Sequence, residues 1–249
     1  MTRRAVQESD CVAISCQHCG IDQLCLPMGL DSVSTALLDR YVKKKRIFKR
    51  GQVLYRVGEV FTSVYAIRSG SFKTYISTDD GRLQITGIHA PGALLGLNAI
   101  DDKRYNCEAM ALETTSVCEI SVDCFEELAR LMPSVHYQML RMMSKEIKHN
   151  QGLMLLLGKK NAEERLATYL LSLSQRFAMR NYSSIQFNLS MSRSDIGNYL
   201  GIAEETVSRI FTRFQEEGII TSERRHITLN NLERLSAIAR EPYLAHKIV

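Results

Sequence analysis

The sequence predicts an α+β protein built from an N-terminal β-roll or jelly-roll domain, one long helix and a C-terminal winged helix-turn-helix. Three observations predict this order. Short β-rich runs separated by glycines fill the first half, an apolar heptad pattern follows, and two short amphipathic helices meet at a glycine near the C-terminus. We place the boundaries at residues 1–30, 31–132, 133–160 and 161–249, the first segment being cysteine-rich.

Length and composition exclude several classes of protein. The 249 residues are 45% hydrophobic and 24% charged, as in ordinary globular proteins. The longest unbroken apolar run, Leu153–Leu157, is too short to span a bilayer, and no apolar signal-peptide core follows Met1. We therefore expect a cytoplasmic protein without a membrane partner. A net charge of +5 is compatible with a polyanionic partner.

Glycine spacing predicts the β-roll. Seven of the fourteen glycines fall between residues 51 and 96. They separate runs rich in β-branched and aromatic residues, namely Gln52–Arg56, Ser63–Arg68, Ser71–Ser77 and Leu83–His89. Such short runs with turn residues between them are typical of an antiparallel roll, and Asp79-Asp80-Gly81 predicts a hairpin. Short helices are expected before the roll at Asp31–Tyr41 and after it at Asp123–Leu131.

A long helix is predicted from Ser134 to about Gly158, and another from Asn161 to about Arg180. Within the first, residues recur at alternating steps of three and four: Leu140, Met143, Ile147, Asn150, Met154 and Leu157. This is the a/d seam of a coiled coil with one polar member. The alternative is a helix packed on its own domain's core. The strict alternation and the single asparagine, which selects register and a two-stranded state, favour a homodimerisation helix.

The C-terminal part carries a helix-turn-helix pattern. A first helix places Ile196 and Leu200 on one face, and Gly201 lies at the tight turn. The second helix has apolar residues at helical spacing, namely Val207, Ile210, Phe211 and Phe214. Residues 219–229 then predict a two-stranded hairpin around Ser222–Arg225, which would form a wing.

The exposed face of the second helix has the chemistry of a DNA-reading surface. It carries Glu205, Ser208 and Arg209, followed by Thr212 and Arg213. Arginine can bridge guanine O6 and N7, glutamate can accept from cytosine N4, and serine can bind a base edge or phosphate. Alone, the first three would describe a solvated helix face stabilised by one ion pair. Inside a helix-turn-helix they predict binding of promoter DNA in the major groove.

The seven cysteines cannot all pair, and three of them stand at C-x2-C-x5-C spacing: Cys16, Cys19 and Cys25. Thiolates this close on a loop can bind zinc or an iron–sulfur cluster, but either needs a fourth ligand. Spacing alone leaves both metals open. It also leaves open the fourth ligand, for which the candidates are Cys11, Cys107, Cys118, Cys124 and His18.

Five segments make the sequence resemble the fumarate and nitrate reduction regulator (FNR) branch of the cyclic-AMP receptor protein superfamily, across almost the whole chain. They are Cys16–Cys25, Ser63–Gly70, Ala111–Ile120, Leu155–Arg165 and Asp195–Gly201. The resemblance implies an oxygen-responsive transcription regulator and not an enzyme. It implies that the roll is a sensor domain and that the regulator, active under anaerobic conditions, contacts RNA polymerase.

The resemblance also implies specific residue roles. Cys16, Cys19, Cys25 and Cys118 would hold an oxygen-labile [4Fe–4S] cluster. A homodimer would read palindromic sites with TTGAT-type half-sites through three side chains of the second helix, namely Glu205, Ser208 and Arg209. Cys11, Cys107 and Cys124 receive no role.

Departures from related patterns lead to further expectations. The cyclic-AMP branch needs a Gly-Glu-Leu turn and an Arg-Ser pair, where this chain has Gly96-Leu97-Asn98 and Tyr105-Asn106, so no cyclic nucleotide is expected. Asn150 and Gly152 stand where relatives can carry acidic residues, so dimerisation should depend less on the cluster. Two rival hypotheses are a zinc-stabilised or other-ligand regulator of the same superfamily and a thiol or metal-storage enzyme.

Overall fold

The computed structural model describes residues 15–78 and 80–240, so Cys11, Asp79 and the first half of the segment 1–30 lie outside the described residues. The chain forms two compact units, residues 1–147 and 148–249. The division falls within one continuous helix, Pro133–Lys159. In the described part of the chain, no helix is both long and apolar enough to cross a membrane.

The first unit contains the predicted β-roll. Its eight strands are β1 Lys43–Phe48, β2 Val53–Tyr55, β3 Ser63–Ser69, β4 Phe72–Ser77, β5 Leu83–His89, β6 Leu94–Leu95, β7 Glu108–Ala111 and β8 Thr115–Ser121. They form two four-stranded sheets in the orders β1-β8-β3-β6 and β2-β7-β4-β5, and every recorded pairing is antiparallel. The four glycine-separated runs correspond to β2, β3, β4 and β5 and gave the right architecture, whereas β1, β6, β7 and β8 were not among them.

Three helices accompany the roll: α1 Ser32–Tyr41, α2 Val122–Leu131 and α3 Pro133–Lys159. Helix α1 begins one residue later than predicted because Asp31 is its N-cap, with the carboxylate accepting the Ser34 N–H at 2.7 Å. Helix α3 extends one residue beyond the prediction at each end. Pro133 fits its first turn because that position needs no N–H donor.

Aromatic rings fill much of the core of the first unit. The Tyr55 and Tyr105 rings stack with centroids 4.0 Å apart, and Phe61 meets Tyr105 edge-on at 5.6 Å. The buried Tyr105 hydroxyl donates to the Ser63 carbonyl at 2.7 Å, so its polar end is satisfied. These rings hold together the strands that carry the candidate site.

The second unit contains the predicted winged helix-turn-helix. Its further elements are α4 Ala162–Ala178, β9 Gln186–Asn188, α5 Arg193–Leu200, α6 Glu204–Glu216, β10 Ile220–Glu223, β11 His226–Leu229 and α7 Leu232–Ala239. The wing hairpin of β10 and β11 is joined by β9 in a three-stranded sheet. Strand β9, of three residues, and helix α7, of eight, were not predicted from the sequence.

Candidate functional site

The stretch Cys16–Cys25, called the cysteine segment below, is a succession of tight turns. The Cys19 N–H donates to the Cys16 carbonyl at 3.3 Å, the Asp22 N–H to the Cys19 carbonyl at 3.0 Å, and the Cys25 N–H to the Asp22 carbonyl at 3.4 Å. Side chains three residues apart in 3₁₀-type turns project on the same side of the backbone. The three cysteines are separated by multiples of three, so this local geometry directs them toward one place.

The structure brings the four predicted cluster ligands together. Cys16, Cys19, Cys25 and Cys118 line one cavity of about 400 Å³, a volume that includes space open to solvent. Cys118 lies on β8 opposite Ala66 of β3. The other candidates for a fourth ligand that the structure describes, His18, Cys107 and Cys124, do not line this cavity.

Two residues that the sequence argument missed hold the cysteine segment against the roll. The Asp39 carboxylate on α1 accepts the Cys16 N–H at 2.6 Å and the Ser15 hydroxyl. Gly92 lets the backbone at Leu24 approach, because a Cβ there would lie 2.6 Å from the Leu24 carbonyl oxygen. An acid on a helix surface and one turn glycine among many leave no distinctive pattern, so only the fold reveals them.

Three of the cavity thiols, those of Cys16, Cys25 and Cys118, have raised pKa values. Burial raises the pKa of Cys25 to about 12. Burial, a hydrogen bond to Asp39 and the charge of Asp39 raise the pKa of Cys16, and burial raises the pKa of Cys118. Without a compensating positive centre these groups are neutral thiols, and metal binding would have to replace their protons. Among the described residues, no group of three or more Cys, His, Asp or Glu side chains is arranged to hold a metal ion.

Two glycines shape the helix-turn-helix. Gly201 ends α5 in the left-handed region at φ +62°. Gly197, which the sequence argument did not single out, lies where a Cβ would be 2.5 Å from the Ile202 carbonyl oxygen. The predicted core-facing residues of the two helices are all buried, namely Ile196, Leu200, Val207, Ile210, Phe211 and Phe214. The turn therefore depends on one glycine for its conformation and on the other for space.

All five predicted DNA-contacting side chains are exposed on α6: Glu205, Ser208, Arg209, Thr212 and Arg213. They differ in how they are held. Arg213 forms ion pairs with Glu163 of α4 and with Glu217, the latter at 3.9 Å. The Thr212 hydroxyl donates to its own helix, and Arg209 donates to Thr206 at 3.1 Å. Arg213 is thus engaged by its own module, whereas among the described residues Arg209 is bound only to a neutral neighbour.

Arg165, on α4, links the ends of two other helices. Its guanidinium donates to the Leu157 carbonyl at 2.7 Å, the Lys160 carbonyl at 2.9 Å and the Leu200 carbonyl at 2.9 Å. It also reaches the Gly201 carbonyl at 3.2 Å. One side chain therefore satisfies carbonyls at the end of α3 and at the helix-turn-helix turn. This is possible because a guanidinium group carries several N–H donors. No pattern in the sequence indicates this role of Arg165.

Comparisons with known proteins agree with this architecture. The chain matches the Crp-like helix-turn-helix domain family over residues 164–238 and the cyclic nucleotide-binding domain family over residues 45–131. It is 48% identical over 224 residues to the transcriptional activator protein FnrA of Stutzerimonas stutzeri, covering 90% of this chain and 92% of that protein. It is 45% identical over 236 residues to the fumarate and nitrate reduction regulatory protein of Salmonella typhimurium, covering 95% and 94%.

The chain belongs to the FNR family of transcriptional activators. Among solved structures, FixK2 from Bradyrhizobium japonicum is 33% identical with a TM-score of 0.72, covering 78% of this chain and 96% of that one. TTHB099, a CRP-family regulator from Thermus thermophilus, shares the fold with a TM-score of 0.66 at 22% identity, covering 79% and 97%. FNR-family proteins are regulators and not enzymes, as the sequence predicted.

The long helix of this FNR-family chain has two contrasting faces. Five of the six predicted seam residues are exposed, among them Leu140 at 50% and Met154 at 73%, and Leu157 is half-buried. On other faces of the helix, Met139 and Leu156 are buried. The alternative of a stripe packed on its own core therefore does not describe the seam in a single chain, since its apolar side chains remain uncovered.

Proposed function

We propose that this chain is an oxygen-responsive global transcription regulator. It holds a [4Fe–4S] cluster at Cys16, Cys19, Cys25 and Cys118, dimerises along α3 and binds TTGAT-type palindromic promoter sites under anaerobic conditions. The observation that carries the proposal is the meeting of these four cysteines, and of none of the other described ones, around one cavity. Promoter DNA is in the cytoplasm, where the regulator would act.

The donor set fits a [4Fe–4S] cluster, in which each of four cysteine thiolates binds a different iron. Four thiolates can also hold a single structural zinc ion, so the donor set by itself does not separate the two. The relationship to FNR-family regulators favours the cluster, and the four thiols line one cavity. When bound, the cluster would supply a metal centre that oxygen destroys.

The chain's own residues explain how ligand binding would affect the fold. Cys118 belongs to β8, which pairs with both β1 and β3, so its position is fixed by the sheet. Cys16, Cys19 and Cys25 belong to short turns without strand partners. Joining all four to one centre would tie the turns to the sheet, and its loss would release them. This difference would be the source of the oxygen response.

Dimerisation would use the exposed seam of α3. Leu140, Met143, Ile147 and Met154 are exposed, and pairing with a second copy would cover them. Asn150, also exposed, would meet its counterpart in the partner helix and fix the register. A parallel pair would present two copies of the winged module to half-sites about one DNA turn apart.

DNA reading would rest on the first turns of α6. Arg209 would bridge a guanine, Glu205 would accept from a cytosine and Ser208 would bind a base edge. Thr212 and Arg213, farther along the helix, would lie near the phosphate backbone. Arg213 would have to give up or share its ion pair with Glu163 to do so, so we assign it a smaller part.

Two further partner assignments complete the proposal. As an activator the dimer would contact RNA polymerase. It would not bind a cyclic nucleotide, despite the domain family it matches, because the turn at Gly96 lacks the glutamate that such a pocket uses. The residues standing there are tied together instead, with the Asn98 amide donating to Asn106 at 2.5 Å.

Anaerobic purification followed by an absorption spectrum and iron analysis tests the proposal. A brown protein with about four irons per chain that bleaches in air would support it. A colourless protein with one zinc would refute it and favour the zinc-stabilised regulator. The matched pair Cys118→Ala and Cys124→Ala tests the ligand set, because only the first should lose the colour. Retention of colour in Cys118→Ala would show that another residue is the fourth ligand.

A further inference from the structure

Helix α3 touches the cysteine segment on the face opposite its seam. Val135, Gln138 and Met139 are buried in the first unit, whereas Leu140 and Met143 are exposed. Gln138 is unusual among them because its side chain is polar and only 3% exposed. A buried amide in this position needs a hydrogen-bond partner within the protein.

The partner of Gln138 is a proposed cluster ligand. Its Nε2 donates to the backbone carbonyl of Cys25 at 3.3 Å. The same carbonyl accepts the Met28 N–H at 3.1 Å, which closes the tight turn that follows Cys25. Cys25 lines the cavity with its side chain and contacts α3 through its carbonyl, so one residue faces both the candidate cluster and the dimerisation helix.

This hydrogen bond couples two conformations. If the cysteine segment leaves its place, the buried Gln138 amide loses its acceptor, and that loss is costly because water does not reach it freely. Any ligand that holds the segment in place therefore also favours the present position of Gln138. By linkage, anything that fixes α3, such as pairing with a second copy, favours the present position of the segment to the same degree.

We propose that Gln138 is the positioning residue through which the state of the cysteine segment reaches the dimer seam. The inference rests on the proposed function, because it assumes that cluster loading controls dimerisation. Gln138 and Leu140 lie two residues apart on different faces of α3. A change in the packing of Gln138 therefore shifts the helix and, with it, the position of Leu140. The hydrogen bond of Gln138 is sufficient for this coupling, and no other residue of α3 needs to contact the cysteine segment.

The test compares Gln138→Met, which keeps the side-chain volume and removes the amide, with Gln175→Met, the same change at an exposed position of α4. The first measurement is alkylation of each cysteine by iodoacetamide in the full-length, cluster-free chain, followed by mass spectrometry. Gln138→Met should label Cys25 several-fold faster and leave the buried Cys107 unchanged. An unchanged Cys25 rate in a folded variant would overturn the positioning role.

The second measurement is the dimer dissociation constant, by analytical ultracentrifugation, of anaerobically loaded and air-exposed protein. In Gln138→Met the ratio of the two constants should shrink by about fivefold or more, while iron per chain stays at the wild-type value. The full wild-type ratio in this variant would overturn the inference alone. A wild-type chain without iron, or without any difference between the two states, would overturn the proposed function and the inference with it. If Gln138→Met does not fold, Gln138→Asn, whose amide is one methylene too short, replaces it in both measurements.

Discussion

The cysteine cavity and the helix-turn-helix are built in opposite ways. The helix-turn-helix is assembled from neighbouring residues: Gly197 and Gly201 shape one turn, and the side chains proposed to contact DNA lie on the helix that follows. The cysteine cavity joins a turn-rich segment near the N-terminus to Cys118 in a strand far along the chain. Three of its half-buried thiols, those of Cys16, Cys25 and Cys118, have raised pKa values, whereas the side chains proposed to contact DNA are exposed.

The contrast suggests a division of labour. A module that is complete in itself can form its DNA-contacting surface without other parts of the chain, and the proposed dimer then brings two such surfaces together. A site whose metal-binding residues come from separate elements changes the fold when the metal centre binds or leaves. The reason is that the bound centre joins those elements to one another. Sensing therefore suits the cavity, and reading suits the local module.

Matched glycine substitutions give the largest expected effect on this comparison. Gly197→Ala should lower the free energy of unfolding by about 2–3 kcal/mol, because its Cβ meets the backbone oxygen of Ile202 inside a packed turn. Gly92→Ala should lower it by about 1–2 kcal/mol, because φ +93° strains any residue with a Cβ even after the cysteine segment has withdrawn from the roll, and it should reduce iron retention. Urea unfolding followed by circular dichroism measures the first effect and iron analysis the second.

Gly152→Ala is the control, since a Cβ there meets nothing within 4 Å and alanine favours the helix. Equal destabilisation by Gly92→Ala and Gly197→Ala would contradict the idea that the cysteine segment is the more independent part.

A second pair of substitutions sharpens the comparison within the reading helix. Arg209→Ala should reduce discrimination at one base pair by about tenfold, because a bidentate arginine–guanine contact contributes 1–3 kcal/mol of specificity. Arg213→Ala should weaken binding to all sequences by a smaller factor, because its guanidinium is already paired with Glu163. Binding of matched and single-substituted operators at fixed salt distinguishes the two. Unaltered discrimination in Arg209→Ala would remove this residue from base reading.

The smallest expected effect concerns pH and the second unit. Burial and the nearby Arg176 lower the pKa of His149 to about 4, and its Nε2 lies 3.3 Å from the Tyr199 hydroxyl and 3.4 Å from Arg176. The unfolded chain, with an ordinary histidine pKa near 6.5, takes up the proton first as pH falls. Stability should therefore decrease between about pH 6.5 and pH 4, by about 1 kcal/mol at pH 5 once solvent screening is considered.

His149→Gln keeps a hydrogen-bond acceptor without a titrating group, so it should flatten this part of the pH dependence. His136→Gln, at an exposed histidine of the first unit, serves as the control. Urea midpoints measured from pH 7.5 to pH 5 decide the matter, and identical slopes for wild type and His149→Gln would exclude the histidine as the cause.

The sequence anticipated the elements with strong local signals. Strand β5 begins and ends where the pattern predicted, and α3 differs by one residue at each end. The wing hairpin and both helices of the helix-turn-helix were also predicted, because periodicity and turn residues act over a few neighbours. Strand β9 and helix α7 were missed: β9 has only three residues, and α7, although as long as α5, has no glycine turn beside it to mark a helix pair.

Residues whose roles depend on distant partners could not be anticipated. Asp39, Gln138 and Arg165 are polar residues on helices. Nothing in their sequence spacing distinguishes them from solvated surface residues. Each acquires its role from a backbone group that the fold brings within hydrogen-bond distance. Gly92 and Gly197 likewise owe their importance to a neighbouring backbone that approaches them.

The sequence by itself determined the order of the parts. It also predicted the seam of α3 and the DNA-contacting face of α6, because each is a pattern that recurs along one helix. It also supplied three clustered cysteines, but their spacing left the fourth partner open, and the FNR resemblance alone pointed to Cys118. Only the tertiary structure brought Cys118 to the same cavity, since the pairing of β8 with β3 carries a strand distant in sequence to the cysteine turns. The periodicity that predicts a helix or a strand depends on residues close in sequence, whereas a cavity lined by distant residues exists only after the chain has folded.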